Sequence, residues 1–150
     1  MPTAFLEFKR NGYTINTDPS RLDINTIHAY LANESYWASG ISINIIEKSV
    51  ENSLCFGVYE QGKQIGFARV VSDRTTFAWL CDVFILKPYR GRGLGKWLVD
   101  CVLSHPELQN LRSWMLATQD AQGLYSQFGF KTLENPESVM RRRNTDVYQW

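Results

Sequence analysis

Three glycines within five residues, with two arginines and two lysines, stand in the stretch KPYRGRGLGKWL, Lys87 to Leu98. The stretch separates an apolar run, TTFAWLCDVFIL, from an amphipathic one. A strand, a glycine-rich turn and a helix start together make an anion site. The free N–H groups of the first helical turn carry partial positive charge, and glycine lets a ligand approach the backbone. A plain turn needs one glycine, not three alternating ones, and Arg90 and Arg92 would repel each other without an anion nearby. Spacing excludes two of the common phosphate loops. A GxxxxGK[ST] loop would use Gly95-Lys96, but Trp97 follows and Arg90 stands where the first glycine belongs. A GxGxxG fingerprint begun at Gly91 ends on Lys96, and one begun at Gly93 ends on Leu98.

The elements around the loop follow from pattern. Asn11-Gly12 between two β-rich runs predicts a hairpin. DINTIHAYLANE predicts a helix capped by Asp23, with Ile24, Ile27, His28 and Leu31 on one face. SINIIEKSVENS predicts a second, capped by Ser42. SLCFGVYE and KQIGFARVVSD flank a turn at Gln61-Gly62, and the apolar run after Asp73-Arg74 reads as a central strand covered on both faces. Leu94, Trp97, Leu98, Cys101 and Val102 share one side of the helix after the glycines. RSWMLAT is a further strand, DAQGLYSQFG a short helix ended by Gly129, and FKTL and SVMRRR are expected to add late strands. This order defines a mixed α/β or α+β fold.

The 150 residues, 44% hydrophobic and 21% charged, suit one domain over residues 1–150 with a real core. A net charge of +1 gives no global field for nucleic acid or an acidic membrane, so any basic function is local. No apolar stretch approaches the length of a membrane span, and the first residues lack a signal-peptide core. Cys55, Cys81 and Cys101 have neither CxxC spacing nor an even count, so the expectation is buried thiols in a reducing cytoplasm and no metal site.

Arg90 to Gly95 matches (R/Q)xxGx(G/A), and its flanks, VFILKPYRGRGLGKWLV, together with GLYSQFGF downstream, resemble the GNAT superfamily of N-acetyltransferases. The resemblance covers roughly residues 55 to 133; the two N-terminal helices agree in order only. It implies a mostly antiparallel central sheet of six to seven strands, about four helices on its two faces, and a splayed central pair of strands that receives acetyl-CoA. The backbone of Phe84, Ile85 and Leu86 would pair with the pantetheine, and Arg90, Gly91, Arg92, Gly93, Leu94, Gly95 and Lys96 would hold the pyrophosphate. A backbone N–H near Phe84 would polarise the thioester carbonyl.

Tyr125 matches the family's usual acid for the departing thiolate, whose pKa of roughly 8.5 makes it a mediocre leaving group near neutrality. Asp82, in an otherwise apolar strand, either handles the amine proton or pairs with a cation such as Arg69. His28 has a suitable pKa but a helix-face position that reads as structural. Glu34, Tyr36, Trp37 and Trp79 are candidates for the acceptor site, with core packing the competing reading for Trp79. Arg141 to Arg143 read as a solvated strand edge. An asparagine that many members carry after RSWMLAT is missing, and Thr118-Gln119-Asp120 stands in its place. Direct transfer from acetyl-CoA to a primary amine of a small molecule is the expected activity. Protein Nα or lysine acetylation is one alternative, and a silent acyl-CoA-binding module is another. Homodimers are common in the superfamily, but no segment here announces an interface.

Overall fold

The computed structural model describes residues 4–148, and its centre is one six-stranded sheet in the order β1-β2-β3-β4-β5-β6. Strands β1 (Glu7–Arg10) and β2 (Tyr13–Asn16) form the predicted hairpin, with Asn11 and Gly12 both at positive φ in its turn. Helices α1 (Ile24–Asn33) and α2 (Ile43–Glu51) follow before the chain returns to the sheet. β3 (Leu54–Glu60), β4 (Lys63–Ser72) and β5 (Phe77–Ile85) are consecutive antiparallel strands. α3 (Leu94–Leu103) then crosses over to β6 (Ser113–Met115), which runs parallel to β5, and α4 (Gln122–Ser126) comes last.

Local chemistry explains the helix starts. Asp23 accepts from the Thr26 N–H at 3.2 Å and Ser42 from the Ile45 N–H at 3.4 Å, so each helix begins with a donor satisfied by a side chain. Two apolar layers sandwich the sheet. On one face Leu94, Trp97, Leu98 and Val102 of α3 pack with Phe56, Val58, Val70 and Leu80. On the other, Ile27 and Leu31 of α1 and Ile46 and Val50 of α2 pack with Cys55, Phe67 and Phe84.

The late strands expected at FKTL and SVMRRR are absent among the described residues, and β6 is the sheet's last strand. Residues 131–147 are exposed, with Met140 at 92%, and Pro136 begins a short turn between the two segments. A run this polar has too little apolar surface to hold a strand against the sheet. His28 is the structural residue its position suggested: its Nε2 lies 3.1 Å from the Ile41 carbonyl oxygen.

Candidate active site

The loop between β5 and α3 is shaped by two glycines in the left-handed region, Gly91 at φ 81° and Gly93 at φ 77°. A side chain there would cost roughly 1–2 kcal/mol. Gly93 is also the N-cap of α3, and no side chain caps that end, so the first N–H groups of the helix are free to face a ligand. Gly95 differs. It is helical, and an added Cβ would meet nothing closer than Leu124 Cδ2 at 4.0 Å. The fold does not require a glycine at 95, whereas a ligand lying close on the helix would.

β5 supplies the next wall. It pairs with β6 only from Phe77 to Trp79, opposite Ser113 to Met115, and beyond Trp79 the two strands part. The Leu86 N–H donates to the Ile65 carbonyl at 2.8 Å, and the register continues through Ile85 opposite Gly66 to Phe84 opposite Phe67. Alternation along an antiparallel strand therefore turns the Phe84 backbone toward β4 and the Val83 and Ile85 backbones toward the gap. The N–H expected near Phe84 thus belongs to Val83 or Ile85. Arg90 uses that side of Ile85 too, donating from Nε to its carbonyl at 2.9 Å and from Nη2 to the Tyr30 hydroxyl at 2.9 Å. Tyr30 in turn stacks on Phe84 at 4.1 Å between ring centroids. The Arg90 guanidinium thus braces α1 against the end of β5. The gap itself is a groove of about 660 Å³ that runs from Gly91, Gly93 and Gly95 past Phe84 and Ile85 to Tyr125.

Asp82 sits at a break in the β4–β5 register, in the left-handed region at φ 54°. This kink aims its carboxylate across the sheet. Oδ2 accepts from Arg69 Nε at 2.8 Å and Oδ1 from the Trp37 indole N–H at 2.9 Å. The side chains of Arg69 and Asp82 are 19% and 11% exposed. Burial opposes the Arg69 charge, but the Asp82 carboxylate beside it holds its pKa above the usual value. Neighbouring Cys81 is pushed up to about 12, mainly by burial, so it is a thiol rather than a thiolate near neutrality.

The loop between α1 and α2 bridges the gap through two adjacent aromatics. Tyr36 accepts at its hydroxyl from the Gln119 N–H at 2.8 Å, while Trp37 holds Asp82. Their rings meet edge to face at 5.0 Å. Behind them lies a second cavity of about 250 Å³, walled by Trp79, Leu80, Val83 and Leu116. Tyr36, Trp37, Val83, Asp120, Ala121 and Tyr125 line both cavities. Tyr125 is 8% exposed, and its hydroxyl makes no hydrogen bond among the described residues, yet it is not sealed from solvent. It opens where the cavities meet. Burial, and then the nearby Tyr36, push its pKa up to about 12.

The structure brings most of the predicted residues together and redistributes a few. Glu34 lines the larger groove and not the smaller cavity where an acceptor was expected to meet it. Leu86, Arg92 and Lys96 are outside both linings. Arg92 donates to the Tyr13 hydroxyl at 2.6 Å and lies over the Tyr89 ring. Thr118, where the family asparagine is missing, accepts from the Ala121 N–H at 3.0 Å, in the turn that leads into α4. Sequence reasoning passed over Tyr30 and Leu124 as groove walls, and it read Arg141 as part of a solvated strand edge, whereas Arg141 is on no strand and lines the smaller cavity. An arginine in an exposed tail gives no periodic signal.

Comparison with known proteins places this geometry. Residues 51–132 match the family model described as an acetyltransferase (GNAT) domain. A protein of Gibberella zeae named as an acetyltransferase, FG08082, is 30% identical, with 77% of each chain covered. The crystal structure of a GNAT-family acetyltransferase from Xanthomonas campestris pv. campestris superposes with a TM-score of 0.90 at 44% identity, covering 95% of this chain and all of that one. At 11% identity, an acetyltransferase from Clostridium acetobutylicum solved with acetyl-CoA shares the fold, with a TM-score of 0.64 over 87% of this chain and 94% of its own. The chain belongs to the GNAT family of N-acetyltransferases. Among its described residues no helix is long and apolar enough to cross a membrane.

Proposed function

We propose that the chain transfers the acetyl group of acetyl-CoA directly to a primary amine of a small molecule. The observation that carries this reading is the meeting of the two cavities at Tyr125, one bordered by a helix N-terminus and a strand edge that β6 does not pair, the other small and lined by aromatic, apolar and charged side chains. The groove fits the donor on its own terms. It has free helix N–H groups for a diphosphate, an unused Cβ space at Gly95 and, beyond Trp79, a β5 edge that β6 does not pair, for an extended amide chain. Bound there, acetyl-CoA supplies an activated acetyl group as a thioester.

The protein's own groups do the rest. The backbone of Gly91, Gly93, Leu94 and Gly95 fixes the diphosphate, and the Val83 and Ile85 backbones align the arm. An N–H on that edge polarises the acetyl carbonyl. Each Asp82 oxygen already accepts one hydrogen bond and keeps another lone pair, so the carboxylate can still receive from an acceptor amine. Tyr125 stays protonated across the working pH range and gives its proton to sulfur as the amine bonds to carbon. Cys81, protonated and buried, offers no nucleophile for a covalent step. Tyr36, Trp37 and Trp79 enclose the acceptor.

Calorimetry with acetyl-CoA, followed by a broad amine panel monitored by free CoA, tests the reading. Binding together with amine-dependent CoA release is expected. Tight binding with no release from any amine would point to a silent acyl-CoA-binding module, and transfer to peptides alone would move the acceptor to proteins.

A further inference from the structure

The smaller cavity has a charge pattern that its apolar walls do not need. Three of its lining residues are charged: Asp82, Asp120 and Arg141. Asp82 is offset by Arg69, which approaches it from outside the lining. Arg141 makes no hydrogen bond or ion pair among the described residues, with Asp120 or with any other group. The two uncompensated charges also sit at different places. Asp120 lines both cavities, beside Tyr125 at the junction, whereas Arg141 lines only the smaller one. Trp79, Leu80, Val83 and Leu116 are among the residues that complete its wall. The cavity therefore carries a negative group on the wall it shares with the donor groove and a positive group on a wall the groove does not share, with apolar side chains in the same lining.

We propose that the acceptor is a small amine that also bears an anionic group, a carboxylate or a phosphate, held by Arg141. This rests on the acetyl-transfer reading above. The amine faces Asp82, Asp120 and Tyr125, the body lies against Trp79 and Trp37, and the anion meets the Arg141 guanidinium. An arginine fork suits a planar carboxylate or a phosphate oxygen pair, and it remains charged at every working pH. Arg142 and Arg143 follow in the sequence but line neither cavity, so their contribution is a general positive field.

The test uses matched amines: phenylalanine against 2-phenylethylamine, 4-aminobutyrate against butylamine, and 2-aminoethyl phosphate against ethylamine. The readout is the ratio of kcat/KM for the anionic member to that for its neutral partner, in the wild type, in Arg141→Gln and in Arg142→Gln. At least one pair should favour the anion. That ratio should fall about tenfold or more in Arg141→Gln, as expected for a lost charged hydrogen bond, and hold in Arg142→Gln. The amino carboxylate and phosphate arms separate the two anion types. An unchanged ratio in Arg141→Gln, or a neutral preference in every pair, overturns the proposal. If acetyl-CoA binds but no amine of either kind is acetylated, the transfer reading is what has failed. Binding of N-acetylphenylalanine and 4-acetamidobutyrate to the CoA-saturated protein then decides the anion site separately. Weaker binding in Arg141→Gln supports it, and no binding to the wild type sinks it.

Discussion

The indole N–H of Trp37 donates to Asp82 Oδ1 at 2.9 Å, and that bond ties the loop after α1 to the kink in β5. One residue earlier, Tyr36 ties the same loop to Gln119 at 2.8 Å. The two bonds clasp the splayed strands across the point where the cavities meet. Trp37→Phe keeps an aromatic ring and removes the donor. The expected result is a several-fold higher KM for the amine, little change in acetyl-CoA affinity, and a stability loss of about 1 kcal/mol. Steady-state kinetics with calorimetry would check this, and an unchanged amine KM would show that the clasp does not shape the acceptor site.

Asp82 carries a structural and a chemical reading at once, and a double variant separates them. Asp82→Asn leaves a partly buried Arg69 without its counter-ion, which should cost about 3–5 kcal/mol. Arg69→Met in the same chain removes the stranded charge and should recover most of that stability, since replacing both members of a buried pair is often nearly neutral. If the carboxylate handles the amine proton, turnover stays low in the refolded double variant. Recovery of turnover together with stability would make Asp82 a positioning residue only.

Much of this arrangement is readable in the chain. The hairpin at Asn11-Gly12, the caps at Asp23 and Ser42, and the apolar face of α3 come from local rules that tertiary context does not overturn. The glycine loop is legible because backbone conformation, not neighbours, dictates Gly91 and Gly93. The kink at Asp82 is not, because an aspartate at φ 54° in mid-strand reflects the Arg69 and Trp37 bonds from residues 13 and 45 positions away. Arg141 escapes for the same reason: only the folded tail brings it to Trp79. The expected last strands fail because FKTL and SVMRRR read as short β segments only when their exposure is ignored.

Gly95 offers a substitution whose two effects have opposite signs. Alanine fits at a helical site whose nearest neighbour is 4.0 Å away, and it favours a helix over glycine by about 0.8–1.0 kcal/mol. Gly95→Ala should therefore raise the thermal midpoint of the free protein by a few degrees. If the pyrophosphate lies against this turn, the new methyl should weaken acetyl-CoA binding about tenfold or more. Thermal unfolding and calorimetry on one preparation give both quantities. Unchanged affinity in a stabilised variant would remove the diphosphate from Gly95.

Tyr125→Phe separates catalysis from binding because it removes the hydroxyl and keeps the ring. The hydroxyl has no hydrogen-bond partner to lose among the described residues, so stability should change by less than about 1 kcal/mol. Acetyl-CoA affinity should barely move, since the proton matters mainly as negative charge develops on sulfur. Turnover should fall roughly 10²-fold, at the lower end for general acid catalysis. The pH dependence gives a second, independent handle. Burial pushes the Tyr125 pKa up to about 12 from its ordinary value of 10.0. A raised pKa keeps the acid form present as pH climbs, so the wild-type rate should not fall between pH 9.5 and 10.5 and should be lost only as pH approaches 12. An unshifted tyrosine acid would already be half deprotonated near pH 10. A rate that halves at about pH 10 contradicts the buried setting of the hydroxyl, and near-normal turnover in Tyr125→Phe, with chemistry shown to limit the rate, removes it from the proton transfer.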